Sequence, residues 1–217
     1  MILAAHQPNF LPNIGFFQKI QEADFFVIPI GMQFEKGEGW QQRNKFPFGW
    51  FTVPVLGGQN QIIQDVKINN DVGWKEKYLR TLKYHYQNYP NFREYYEPLE
   101  KIFSMEWKYL SDLNIHLIQW LGFVLKIDTP IIIGLMEQGM KTEKIINLCK
   151  RYKCDTYISG EGAYKNYLDI KKVEESGIVS VINKFDYAKY PYSVLHYLIT
   201  EGIAWTKAVL NKHSQKE

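Results

Sequence analysis

Cysteine is almost missing from this chain of 217 residues: Cys149 and Cys154 are the only two. That excludes a small scaffold stapled by disulfides and an all-cysteine zinc site, and it suits a reducing, cytoplasmic compartment. An excess of one charge is missing too. Lys and Arg number 26 against 23 Asp and Glu, for a formal net charge of +3, so neither a nucleic-acid partner nor a disordered charged tail is expected. Long apolar runs are also absent. The longest, Leu117 to Leu125, is broken by Gln119 and is well short of the roughly 20 residues that a membrane span requires. The short run Ile2 to Ala5 lacks the basic flank of a signal peptide. No spacing of His, Asp or Glu suits a metal, and no metal site is expected. Aromatic rings are what the chain has in excess: 15 Tyr, 13 Phe and 6 Trp make up 16% of it, while the mean hydropathy remains negative at −0.32.

Length and patterning predict one α/β domain over residues 1–217, a Rossmann-like, mostly parallel sheet with a β-ribbon elaboration and a helical insertion over 73–126. Ile2-Leu3-Ala4-Ala5 reads as a buried strand, Ile14, Phe17 and Ile20 as a helix, and Phe25 to Ile30 as a second strand, together a βαβ unit. Gly37 to Gly49 reads as a polar, turn-rich loop. The runs Trp50 to Val55 and Ile62 to Ile68 read as the ribbon. Asp71 is a candidate cap for a helix through Trp74, Leu79, Leu82 and His85, and helices follow over about 92–103 and 107–125. Strands at Thr129 to Ile133, Thr156 to Ile158 and Ile178 to Ile182, with helices at Thr142 to Cys149 and Val194 to Leu210, resume the α/β alternation.

Ligands of such sheets bind at the carboxyl ends of the strands. His6-Gln7-Pro8-Asn9 follows the first strand and precedes a helix, so His6, Gln7 and Asn9 converge where a helix start favours an anion. The layout is that of nucleotidylyltransferases without their paired histidines and flanking glycine. Gln33, Arg43, Asn44 and Lys45 form a second polar group suited to an anionic ligand, Arg by its planar fork and Lys as a point charge. Ser159-Gly160-Glu161-Gly162 puts a hydroxyl and two small residues at a strand end; it is neither a P-loop nor a G-x-S-x-G elbow.

Together these stretches carry a resemblance. His6-Gln7-Pro8-Asn9-Phe10-Leu11-Pro12, followed by Gly15-Phe16-Phe17-Gln18-Lys19-Ile20, is similar to the opening signature of the WbqC-like family. Gln33-Phe34, five residues, then Trp40-Gln41-Gln42-Arg43-Asn44-Lys45 resembles its second element, and Asp155-Thr156-Tyr157-Ile158-Ser159-Gly160 with Tyr167-Leu168-Asp169 its third. The chain departs from the family pattern at Asn13, where an aromatic is common, at Ile30-Gly31, where an acidic pair is common, and in the terminal helix over Thr200 to Asn211. The resemblance implies an enzyme of surface-polysaccharide (O-antigen, lipopolysaccharide) biosynthesis. Its reaction would be transfer of a glycine-like aminoacyl group to the amine of a nucleotide-linked amino sugar. In that reading His6 is a base or phosphate contact, Ser159 and Gly160 are oxyanion or phosphate contacts, and Arg43 and Lys45 hold ligand phosphate. Gln7, Asn9, Gln33, Asn44 and Tyr167 position substrate. No cofactor is required beyond ATP or another activated acyl donor, the partner is a nucleotide-linked sugar, and a homodimer is expected. Two alternatives stand beside it: an ATP-dependent carboxylate–amine ligase of nucleotidyltransferase-like type, and a non-catalytic binding or assembly protein docking through its aromatic helices.

Overall fold

A computed structural model of the chain describes residues 1–212 apart from Glu38, Gln59, Met136 and Tyr167. In chain order the main elements are β1 (Ile2–Ala5), α1 (Ile14–Glu22), β2 (Phe25–Pro29), β3 (Arg43–Phe46), β4 (Gly49–Thr52), β5 (Val55–Leu56), β6 (Lys67–Ile68), α2 (Trp74–Tyr86), α3 (Phe92–Ser104) and α4 (Leu110–Leu125). There follow β7 (Ile131–Gly134), α5 (Thr142–Arg151), β8 (Thr156–Gly160), α6 (Glu161–Asn166), α7 (Ile170–Glu175), β9 (Val179–Asn183) and α8 (Val194–Lys212).

Five of the described strands form one sheet in the order β7-β2-β1-β8-β9, every neighbouring pair parallel. The chain steps outward from β1 through β2 to β7, then returns to the far side of β1 at β8. The direction of winding therefore reverses between β1 and β8, as in Rossmann-like folds. Side chains alternate across the sheet. Ala4, Phe26, Ile28 and Ile158 enter the large core with residues of α1, α4 and α8, whereas Leu3, Ala5, Val27 and Tyr157 pack with Ile145, Leu148 and Cys149 of α5 and Val173 of α7. Both faces are thus covered, which is what a parallel sheet of near-continuous apolar strands requires.

Between β2 and β7 the chain builds the ribbon and the helices α2 to α4. The ribbon consists of two short antiparallel ladders: β5 with β6 joins the ends of the two expected runs, Val55 opposite Ile68, whereas Trp50 to Thr52 of β4 pairs with β3, within the expected loop. Arg43 to Phe46 is a strand rather than loop because Asn44 and Phe46 point inward while Lys45 points out; a buried asparagine hides that alternation from a hydrophobicity pattern. Helix α2 starts after Gly73, whose φ is 57°. Asp71 is not its cap; it lies in a preceding 3₁₀ turn, where its own N–H donates to Asn69 Oδ1. Aromatic rings bind the ribbon to α2: Phe51 stacks on Tyr78 at 4.4 Å, and the Tyr78 hydroxyl donates to the Thr52 carbonyl. In α8 the backbone breaks at Gly202 (φ 81°), and the Asn91 amide donates to the Ile199 carbonyl beside the break.

The loop joining β1 to α1 is buried, so its backbone polar groups need partners that no ladder provides. Two asparagines from distant elements supply them. Asn44 Nδ2 donates to the Phe10 and Leu11 carbonyls at 3.1 and 2.6 Å, and Asn44 Oδ1 accepts the Lys45 N–H at 2.7 Å. Asn114 of α4 donates to the Pro8 and Gln41 carbonyls at 2.9 and 2.6 Å. Leu11 sits at φ 43°, and Asn13 Oδ1 caps α1 by accepting the Phe16 N–H at 3.1 Å. Because each buried polar group left unpaired costs about 1–3 kcal/mol, Asn44→Ala is expected to lower stability by about 2–4 kcal/mol in urea unfolding. Lys45→Ala next to it, on an exposed side chain, is expected to change stability by under about 0.5 kcal/mol.

Candidate functional site

The carboxyl ends of β1 and β8 part at the reversal point, and three groups meet there. His6 continues β1 by one residue, its N–H donating to the Val27 carbonyl at 3.1 Å. Its ring lies edge-on to Phe16 of α1, centroids 5.2 Å apart, so the imidazole is on the α1 face. Nδ1 lies 2.9 Å from the Gln7 carbonyl. A carbonyl can only accept, so Nδ1 carries the hydrogen and Nε2 keeps its lone pair. Burial, and then the nearby Lys19 charge, hold the imidazole well below the usual histidine range, at about 3. It is neutral at physiological pH.

Lys19 is the second group, and sequence reasoning had noted it only as part of a motif. It is 5% exposed, and its Nζ reaches the Ala5 carbonyl at 3.4 Å, longer than a good hydrogen bond. Among the described residues no carboxylate pairs with it. Burial alone pulls its amine down to about 7. The available signal was its place on a nine-residue helix whose neighbours Phe16, Phe17 and Ile20 are all core.

Gly160, at the end of β8, is the third. It follows Ile158 on the α1 face by alternation, and a methyl group placed on it would find no neighbour within 4 Å. Open space thus lies over the end of β8, the strand next to the one that carries His6. Ser159 turns to the opposite face with Tyr157; it is 1% exposed, and its Oγ has no hydrogen-bond partner among the described residues. His6 and Ser159 come to adjacent strand ends, but their side chains point to opposite sides of the sheet.

Gln7 Oε1 accepts from the amide of Gln41, which joins the His6 loop to the segment entering β3. Asn9 is buried. Beyond this junction Arg43 and Lys45 project from one face of β3, each against an aromatic ring: the Arg43 guanidinium is 4.5 Å from the Trp50 ring centre, and the Lys45 ammonium 5.9 Å from that of Tyr192. Trp40 and Trp50, centroids 5.5 Å apart, remain 40% and 47% exposed. They belong to neither core cluster, an unusual position for two such rings. Asn44, between the two cations, has its amide engaged in the loop clamp. Gln33 is exposed and bridges to Ile62; no hydrogen bond joins it to β3 among the described residues. Tyr167 lies outside the described residues. No group of three His, Cys, Asp or Glu forms a metal site among the described residues, nor is any described helix long and apolar enough to cross a membrane. Two surface clefts, of about 410 and 370 Å³, lie between α5 and α7 and along α2 and α3, away from the strand ends.

The shifted groups set a pH profile. His6 at about 3 and His196, hydrogen-bonded to the Tyr86 hydroxyl at 2.8 Å and pulled by burial to about 4, both lie below the unfolded value of 6.5. Between those limits the unfolded chain binds more protons than the native one, so stability falls as pH drops from 6.5 towards 4, by up to about 1.4 kcal/mol per pH unit for each histidine. Lys19 acts on the alkaline side. From about 7 to its unfolded value of 10.5 the unfolded chain again holds the extra proton, so its contribution rises with pH. Thermal unfolding from pH 4 to 10 is expected to show both slopes. His196→Phe should flatten the acid limb and Lys19→Met the alkaline one.

Comparison with known proteins places the molecule. Over 198 residues the chain is 31% identical to a protein of Mycobacterium tuberculosis (strain ATCC 25618 / H37Rv) named "Uncharacterized protein Rv1507c", covering 87% of this chain and 83% of that protein. No solved structure matches. Residues 7–198, which take in the His6 loop from Gln7 onward, the ribbon, the helical block and the return through β8 and β9, match the model of the WbqC-like protein family, and the chain belongs to that family.

Proposed function

We propose that the protein transfers a glycine-like aminoacyl group to the amine of a nucleotide-linked amino sugar, in the cytoplasmic stages of surface-polysaccharide (O-antigen) assembly. The observation that carries this reading is the state of His6: a neutral imidazole with Nδ1–H bonded to Gln7 and Nε2 left as an acceptor, on a strand whose neighbour β8 ends in open space at Gly160. The amine nitrogen adds to the acyl carbonyl, its proton passes to Nε2, and the activating group leaves with the electrons of its bond to the acyl carbon. Burial and the Lys19 charge hold the proton affinity of His6 low. A negatively charged ligand acts in the opposite sense and brings the base towards the working pH. Arg43 and Lys45 give the nucleotide phosphates their charge partners, while Trp40 and Trp50 offer faces for a base or sugar ring.

Mass spectrometry of reactions containing a UDP- or dTDP-amino sugar and activated glycine is expected to show gain of one aminoacyl residue on the sugar. His6→Gln, which removes the base but keeps a polar side chain, is expected to lower the rate by about 10²- to 10⁴-fold. Arg43→Ala is expected to raise KM for the nucleotide sugar with little change in kcat, as befits a contact made equally in ground and transition states. Unmodified sugar with every donor would sink the proposal. Release of pyrophosphate from ATP in the same mixture would replace it with the ligase reading.

A further inference from the structure

We propose that the gap between the ends of β1 and β8 is a subsite for a small oxyanion, a phosphoryl or carboxylate group, with the Lys19 ammonium as its counter-ion. The inference is independent of acyl transfer. It begins with the ladder. The His6 N–H points to β2, so the preceding Ala5 carbonyl points to the β8 side. The register of β1 with β8 ends at Ala4 opposite Ile158, and Ala5 O is therefore free of the ladder where Lys19 Nζ reaches it. The amine is thereby set into the gap itself rather than onto the helix surface.

A buried ammonium held only by a long bond to one carbonyl is costly; such groups are normally paired, or they surrender their proton. The acids nearest in sequence are engaged elsewhere. Glu22 accepts from Gln18 and Asn183 at 3.0 Å each, and Asp24 accepts the Ile2 N–H at 2.6 Å. On the open side of the gap are the unoccupied space over Gly160 and the half-buried His6 ring, and His6 feels the Lys19 charge directly. Two groups that gain from a proton thus face one small space, and Lys19 forms no ion pair among the described residues. A bound oxyanion would supply the missing charge, favour the protonated amine, and raise the proton affinity of His6. Burial without a carboxylate partner is what pulls the Lys19 amine down to about 7.

The test uses the full chain at pH 7 and fixed ionic strength, with millimolar inorganic phosphate in one arm and acetate in the other. Phosphate, acetate or both are expected to raise Tm by several degrees in the wild type, and the arm that acts identifies the group. Lys19→Met and Gly160→Val, one removing the counter-ion and the other filling the space, are expected to abolish the shift. Without anion, Lys19→Met should unfold at or above the wild-type Tm, because it replaces an unpaired buried charge by an apolar chain of similar length; a lysine of merely structural value would give a clear loss. Should a variant fail to fold, 13Cε-labelled lysine in the wild type decides the matter. The signal titrating near neutrality is expected to move to higher pH on adding the anion. An unmoved signal, or a Tm shift that survives in Lys19→Met, overturns the proposal.

Discussion

The carbonyls of Pro8, Phe10 and Leu11 are buried on a stretch of chain that belongs to no strand and no helix, and most of the molecule is arranged around satisfying them. Asn44 reaches them from the ribbon and Asn114 from α4. Phe10 N–H bonds the Trp40 carbonyl, and Val194 N–H at the start of α8 bonds Pro12. Four separate parts of the chain therefore meet on one loop of eight residues between β1 and α1. Hydrogen bonds to buried backbone are directional and have no solvent substitute, so these bonds favour the observed conformation of the loop that begins at His6 and Gln7.

The same fixed loop explains a division of labour among the polar residues. Asn44 and Asn114 are structural: their amides are engaged with backbone and they are almost wholly inaccessible. Arg43 and Lys45, one position to either side of Asn44, face outward with no ion-pair partner among the described residues. The four-residue strand β3, whose side chains alternate between its two faces, thus holds the loop with one face and presents cations against Trp50 and Tyr192 with the other. Gln41 links the two, bonding Gln7 through its side chain and accepting Asn114 through its backbone. Lys19 and Gly160 add a cation and free space behind His6. His6, Lys19 and Gly160 belong to the reversal of the sheet, whereas Arg43 and Lys45 stand on the outer face of the ribbon strand that clamps the loop.

The aromatic excess divides in a similar way. Tyr78, Phe51, Trp74 and Phe103 stack or meet edge-on within the core, where large rings fill volume that short ribbons and helices of modest length would otherwise leave open. Trp40 and Trp50 stay outside it. Rings destined for the core and rings left at the surface have the same composition, so sequence counts could not separate them.

Local pattern was enough for β1, α1, β2, the three helices of the insertion and the last helix, because their burial follows the period of the element. It was enough as well to bring His6, Gln7, Ser159 and Gly160 to strand ends, since a strand followed by a polar turn ends where its apolar run ends. The ends of the two runs read as the ribbon do pair, as β5 with β6, but β3 was not legible: a buried Asn44 breaks the alternation on which a strand is recognised. Lys19 was not legible as a site residue, because a lysine on a short helix is ordinarily solvated, and only the packing of α1 against β1 and α8 removes the water. The sequence by itself determined which segments are strands or helices and which polar residues lie between them, through short-range periodicity. Tertiary structure alone decided which of those polar groups are enclosed, paired or left facing open space, because desolvation depends on neighbours more than a hundred residues away along the chain.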